Sequence, residues 1–480
     1  MGQLAWLGIG AAGYDRTMLV LRVVLTTVVL AGMTIAAPHT ADANRLIDAA
    51  LRDDAALKRL EYLCYQIGNR LSGTPALDRA VQWSVEQMKA VGLENVRTIP
   101  VQVPKWVRGR ESAEMLEPAR KPLFMLGLGG SVATPAGGVT ADVVAVSTFD
   151  ELEKLGRARV EGKIVLYDAP FVTYSETVAY RGNGASRAAH LGAVAALVRS
   201  VTPRSLRDPH TGAMNYAAGE PKIPTAAVSV EDAMWIHKLT AAGERVRVHL
   251  EMEAHFEPDV ESADVMGEIV GSTRPDEVVV MGGHLDSWDV GQGAHDDGGG
   301  IMAALGAAAL IKQLGLHPAR TIRVVFWVNE ENGARGGAAY RAWAGDQVAK
   351  HVAAIEMDGG AEKPVGFDLA AGARQARGSA GDQAGAAIPE ALMGKAKTIG
   401  ALLKRIDATS VVPGNGETDI GPLMDAGVPA FGLRTVMTHY FDYHHSQADT
   451  FDKIVPDDFR RCMAAMAVMS YGLADWPGAR

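Results

Sequence analysis

Residues 278–314 constrain the fold more than any other stretch. Val278-Val279-Val280-Met281 is an apolar, strand-like run, and it ends in Gly282-Gly283-His284-Leu285-Asp286-Ser287-Trp288-Asp289. A glycine-rich turn follows, Gly293-Ala294-His295-Asp296-Asp297-Gly298-Gly299-Gly300, and opens into the apolar helical segment Ile301–Leu314. The pattern repeats downstream. Val324–Val328 precedes Glu330-Glu331, a helix is expected near Gly337–Trp343, and Val352–Met357 precedes Asp358. Strands alternating with helices predict an α/β fold with a largely parallel sheet. Each cluster of imidazoles or carboxylates follows a strand-like run, and in open α/β sheets ligands gather beyond the carboxyl ends of the strands.

The residue types in those clusters suit divalent metals. Zinc accepts imidazole nitrogen and carboxylate oxygen, and a catalytic site keeps one position open for water. Two ions roughly 3.5–4 Å apart need a carboxylate between them. The chain supplies such a set: His284 and Asp358 for one ion, Glu331 and His445 for the other, and Asp296 as bridge. Glu330 is left over beside a ligand, free to act as general base on water at the metals. Asp286, two residues beyond His284, is placed to accept from the imidazole nitrogen that faces away from the metal.

These segments resemble the M28 family of zinc exopeptidases, and within it the plasma glutamate carboxypeptidase (carboxypeptidase Q) group. The resemblance rests on residues 282–294, Asp296-Asp297-Gly298-Gly299-Gly300, Glu330-Glu331, Met357-Asp358, His444-His445-Ser446 with Asp449-Thr450, and Arg70-Leu71-Ser72-Gly73. It covers most of the chain after about residue 44. It selects Asp296 over Asp297 as bridge and His445 over His444 as ligand, and implies a cis peptide between Asp296 and Asp297. It also implies a three-layer zinc-peptidase sandwich interrupted by a protease-associated (PA-like) insert, and a homodimer. Some relatives carry Tyr where this chain has His444, so His444, Tyr440 or Tyr443 is expected to polarise the scissile carbonyl. His295 is expected to stay outside the ligand set.

At 480 residues the chain is long enough for two or three domains. Hydrophobic content of 48% with 21% charged residues marks a globular protein. A net charge of −9 without a basic cluster argues against nucleic acid or an anionic membrane surface as partner. The two cysteines, Cys64 and Cys462, are in neither metal-type nor redox-type spacing, and are read as buried thiols or one disulfide. At the N-terminus Arg16 and Arg22 precede Val23–Ala37, which has no charge, and Ala41-Asp42-Ala43 offers a small-x-small cleavage site. That pattern predicts a signal peptide over 1–43 and a secreted or periplasmic protein without a membrane span, an uncleaved anchor being the alternative.

The rest divides into a peptidase domain over 44–120 and 251–480 and an insert over 121–250. Apolar residues recur at helical spacing from Leu46 to Cys64, and Thr74-Pro75 starts a second helix that Gly92 ends. The insert has glycine-rich turns (127–138), short β-branched runs (Val143-Val144, Ile164-Val165-Leu166) and an alanine-rich helix (188–198). None of the proposed site residues falls in it, and its resemblance to a protease-associated insert implies that it covers the cleft.

The resulting expectation is a di-zinc exopeptidase acting on short peptides, dipeptides above all, through a hydroxide bridging the metals with Glu330 as base. His and carboxylate donors suit cobalt or manganese as well. Asp419, in a glycine-rich loop with Asn415, Glu417 and Thr418, is a candidate for reading a peptide terminus, and Arg434 for pairing with a substrate carboxylate. An M28 aminopeptidase is the close alternative. A glutaminyl-cyclase-type acyltransferase, with one zinc, and a receptor-like protein without catalysis fit the retained ligand set less well.

Overall fold

A computed structural model describes residues 39–204, 206–372 and 388–475. The basic and apolar export segment lies outside the described residues. Ala41-Asp42-Ala43 falls within a helix over 39–50, whose residues Ala43, Leu46, Ile47 and Ala50 are buried.

Four parallel strands form the middle of an eight-stranded sheet: β1 (Arg274–His284), β2 (Arg320–Trp327), β3 (His351–Glu356) and β4 (Ala430–Thr435), in the spatial order β2-β1-β3-β4. His255–Ile269 joins β2 antiparallel and carries Glu94–Val107 on its outer edge, also antiparallel. Pro364–Ala370 joins β4 antiparallel and pairs parallel with Ser410–Pro413. The sheet is therefore mixed, parallel where crossover helices link its strands and antiparallel towards its flanks. Successive residues of β1 point to opposite faces. Val279 and Met281 enter one core, while Val278 and Val280 enter the other. The first core holds α1 (Gly299–Gln313), α2 (Pro456–Asp475) and the helix Pro75–Ala90; the second holds Tyr340, Ile420 and Leu423. Helices on both faces of the sheet make a three-layer α/β sandwich.

Twelve of the fifteen residues of α1 are buried, so this helix runs through the interior rather than over it. Gly306 permits the close approach of α2: a Cβ there would stand 2.4 Å from Met463 Sδ and 2.9 Å from Ala56 Cβ.

A second eight-stranded sheet draws its strands from Glu111 to Met252. The chain leaves the first sheet after Val107 and re-enters it at His255, whereas sequence texture had set these crossings near 120 and 250. Its middle strands, Val139–Val146, Ile164–Tyr167, Ala195–Arg199 and Thr225–Val228, are parallel neighbours, with helices linking the first three. No helix among the described residues is long and apolar enough to cross a membrane.

Gly306→Val should push a branched side chain into the α1–α2 contact. It is expected to destabilise the protein by about 1–3 kcal/mol, the usual cost of overpacking, as read from a urea unfolding curve.

Candidate metal centre

The carboxyl ends of the parallel strands meet in one place. β1 ends at His284; β2 leads through Asn329 into Glu330 and Glu331; β3 leads into Asp358; the loop after β4 brings His444 and His445; and Asp296 precedes α1. His284 Nε2 stands 3.1 Å from Asp296 Oδ1 and 3.3 Å from Asp358 Oδ1. His445 Nε2 stands 3.3 Å from Asp296 Oδ2 and 3.1 Å from Glu331 Oε2. Each oxygen of Asp296 thus faces its own imidazole, and each imidazole has a second carboxylate. His444 Nε2 also approaches Asp296 Oδ2, at 3.6 Å, and its ring stacks on His445 with centroids 3.6 Å apart.

The donor set fits divalent cations. His284, Asp296, Glu331 and His445 are buried, and Asp296 Oδ2 and Glu331 Oε1 have no hydrogen-bond donor among the described residues. Burial and the charge of Asp296 push Glu331 up to about 8, and burial takes Asp358 to about 6. Burial opposes a charge on His445, yet Glu331 and Asp296 hold it up at about 10. So many anionic groups share a dry space only if positive charge is supplied to them.

A scaffold of neutral and charged groups sets this geometry. Asp297 Oδ2 accepts from the His284 amide (3.1 Å) and Oδ1 from the Gly300 amide (3.0 Å). A Cβ at residue 283 or 300 would lie 1.9 or 2.2 Å from the Asp297 oxygens, which accounts for both glycines. The Asp296–Asp297 peptide is cis, and the Asp449 carboxyl accepts from the amides of His295 (2.7 Å) and Asp296 (3.2 Å). Arg70 is fully buried and donates to the carbonyls of Leu285 (2.5 Å), Gln292 (2.7 Å), Gly293 (2.9 Å) and Gly68 (3.3 Å), closing the loop after β1.

Asp286 acts differently from the sequence expectation. The partner of His284 Nδ1 is the backbone carbonyl of Asp286, at 2.9 Å, while its carboxylate lies 3.9 Å away. That carboxylate instead accepts from Ser72 Oγ (3.2 Å) and from the Glu330 amide (3.1 Å), holding half-buried Glu330 beside the cluster. Tyr440 is buried at the site and donates to the Asp358 carbonyl at 3.3 Å. His295 is buried outside the cluster, accepting from the Ala361 amide.

Two residues expected to contact substrate have other partners. Asp419 turns inward: it is 1% exposed, its carboxylate faces the interior, and its amide donates to Glu356. The cause is the close packing of its loop on Gly337, where a Cβ would meet the Asp419 carbonyl oxygen at 2.2 Å. Arg434 projects from β4 towards the flanking strands, donating to Ser410 Oγ at 3.4 Å, and near it burial takes Asp368 up to about 6 although the Arg434 charge opposes the rise.

The second sheet reaches the site through residues that the sequence reading did not single out. Trp288 belongs to its core with Leu250 and Met252, and lies against Gly129, where a Cβ would come within 2.0 Å of the indole. Arg108 grips Asp289 with two hydrogen bonds of 2.8 and 2.6 Å. The His210 ring donates to the His444 carbonyl (2.6 Å), and the Thr211 amide to the His445 carbonyl (2.8 Å). Arg181 Nη1 lies 3.3 Å from His445 Nδ1. No local pattern marks these residues: Arg181 sits in a small-residue helix, and its partner is 264 positions away.

With this geometry in hand, comparison with known proteins is specific. Residues 264–470 match peptidase family M28. Mouse carboxypeptidase Q is 42% identical over 418 residues, covering 87% of this chain and 85% of the relative. The crystal structure of a peptidase M28 precursor from Shewanella amazonensis SB2B superposes with a TM-score of 0.86 at 32% identity, covering 92% of this chain and 98% of that one. A zinc aminopeptidase from Bacillus subtilis shares the fold at 18% identity, with a TM-score of 0.63 over 88% of this chain and 98% of that one. The chain belongs to peptidase family M28 and is a hydrolase of the metallo-exopeptidase class. Its similarity to carboxypeptidase Q runs over most of its length.

Arg70→Met keeps bulk but withdraws the donor from the carbonyls of Leu285, Gln292 and Gly68, while the Gly293 carbonyl keeps the Gly298 amide. Unpaired buried acceptors cost about 1–3 kcal/mol each, so stability in chemical denaturation should drop by about 3 kcal/mol or more.

Proposed function

We propose that this chain is a di-zinc exopeptidase that hydrolyses short peptides, dipeptides above all, with Glu330 as general base. The observation that carries the reading is Asp296, whose two oxygens each face a separate His–carboxylate pair. His284 and Asp358 would hold one ion, His445 and Glu331 the other, and Asp296 both. The zinc named for the Bacillus subtilis aminopeptidase supports that metal, and the carboxypeptidase Q similarity supports the exopeptidase class. Ions in this cradle supply Lewis acidity, lowering the pKa of water at the site and drawing charge from the scissile carbonyl.

The remaining work belongs to the chain. The water oxygen bonds to the carbonyl carbon while its proton passes to Glu330. Glu330 then returns the proton to the departing nitrogen as the C–N bond breaks. Asp286, through the Glu330 amide, keeps the base aimed. Burial, followed by the His445 charge, holds His444 well below the usual histidine range. A neutral ring there offers an N–H to the developing oxyanion. The second sheet, in this reading a PA-like cover, walls the cleft. Export and a homodimer complete the proposal.

The test is hydrolysis of a free dipeptide, its N-acetylated form and its C-amidated form by zinc-loaded protein. Loss of cleavage on amidation, or on both changes, is the expected result; loss on N-acetylation alone would make the enzyme an aminopeptidase. Glu330→Gln should abolish turnover with metal content unchanged, and lost metal would make Glu330 structural instead. His444→Phe should reduce turnover while sparing metal and substrate binding; unchanged turnover would remove His444 from the mechanism.

A further inference from the structure

His445 has a φ of 61°, a left-handed conformation that is unfavourable for a residue with a Cβ and persists only where the surroundings fix it. The same residue carries a proposed metal donor, so whatever fixes its backbone also aims that donor. The fixing groups come from the second sheet. Asp208 Oδ2 accepts from Ser446 Oγ at 2.6 Å, His210 Nδ1 donates to the His444 carbonyl at 2.6 Å, and the Thr211 amide donates to the His445 carbonyl at 2.8 Å. Residues 444, 445 and 446 are thus each held by a segment lying at least 234 positions earlier in the chain.

His210 gives its side chain to this contact alone among the described residues. It is buried, and burial holds its pKa down at about 3, so the ring is neutral and has one N–H to give. That N–H goes to the His444 carbonyl, while Nε2 is buried without a donor. An apolar side chain would fill the same space with no unmet acceptor, so packing does not account for a histidine here. Its backbone is tied in turn. The His210 amide donates to Ser200 Oγ at 2.9 Å, and that hydroxyl donates to the Val228 carbonyl at 2.8 Å. Ser200 follows the strand Ala195–Arg199, and Val228 ends the strand Thr225–Val228. The carboxyl ends of two strands of the second sheet therefore brace the imidazole pair that lies beyond the carboxyl ends of the first. The other proposed ion position lacks this brace: His284 ends β1, its Nδ1 is partnered by the Asp286 carbonyl, and Asp358 follows β3.

We infer that His210 is a positioning residue for the imidazole pair, through which the second sheet sets the affinity of the ion held by His445 and Glu331. The inference rests on the di-zinc reading above and goes beyond it, since it makes one ion of the pair dependent on the second sheet and the other independent of it.

The experiment titrates zinc-loaded full chain with a chelator of known affinity and follows the release of each ion. His210→Leu, which fills the space without a donor, should weaken one ion by roughly ten- to a hundredfold, the range for a lost partner of a metal ligand, and leave the other unchanged. Ring-nitrogen NMR signals of labelled histidines, recorded through the titration, tell which imidazole is released. His445 is expected first; earlier release of His284 would overturn the proposal. His210→Asn puts an amide N–H near the place of Nδ1 and should recover most of the lost affinity. Equal weakening of both ions, no weakening of either, or no recovery with asparagine would make His210 merely structural and overturn the proposal. Should His210→Leu not fold, Asp208→Ala decides in its place, because Asp208 is only half-buried and its loss frees Ser446 alone. The same ion should weaken there by a smaller factor, and unchanged affinities would again overturn the proposal. Wild-type protein that binds a single ion would fail the di-zinc reading instead. The brace is then judged on the NMR signals themselves: His210→Leu must move those of His444 and His445 and leave that of His284, and unmoved signals would sink it.

Discussion

The carboxyl group of Asp297 joins the last residue of β1 to the first turn of α1, accepting from the amides of His284 and Gly300. Asp297 binds no metal in the proposed scheme, yet it dictates where metals can bind. With strand end and helix start fixed to one carboxylate, Asp296 has little freedom, and Asp449 removes more by accepting from its amide. Burial raises the pKa of Asp297, and the charge of the neighbouring His284 ring works against that rise. The glycines at 283 and 300 are the steric record of this arrangement.

Much of this was legible in the sequence because it is local. His284, Glu331 and Asp358 each follow a strand-like run and Asp296 sits in the turn before the next helix, and the topology of an α/β sheet brings such ends together. His444 and His445 were legible as a pair, and the structure stacks them against the cluster. Arg70-Leu71-Ser72-Gly73 could be matched but not explained by sequence. Its purpose is visible only in three dimensions, where Arg70 closes the 285–293 loop and Ser72 bonds Asp286.

What escaped was everything decided by packing between distant segments. A loop acid and a strand arginine, Asp419 and Arg434, had the right chemistry for a substrate terminus. Neither had a sequence property that says which way it points. One is turned into the interior and the other towards Ser410. Arg181 shows the converse, since nothing in a helix of small residues announces that its guanidinium meets His445.

Trp288 illustrates what that division costs in modularity. Within five residues the loop after β1 passes from His284 at the metal centre to an indole in the core of the other sheet. Arg108, on the connection between the sheets, then holds Asp289. An insertion that had merely been added to a finished enzyme would leave the parent's loops intact when removed. Here excision would strand a large aromatic side chain in water, release one face of the imidazole pair and unfasten the loop that carries His284. The second sheet is thus not an interchangeable accessory, and grafting it between relatives would require the 284–290 loop to travel with it.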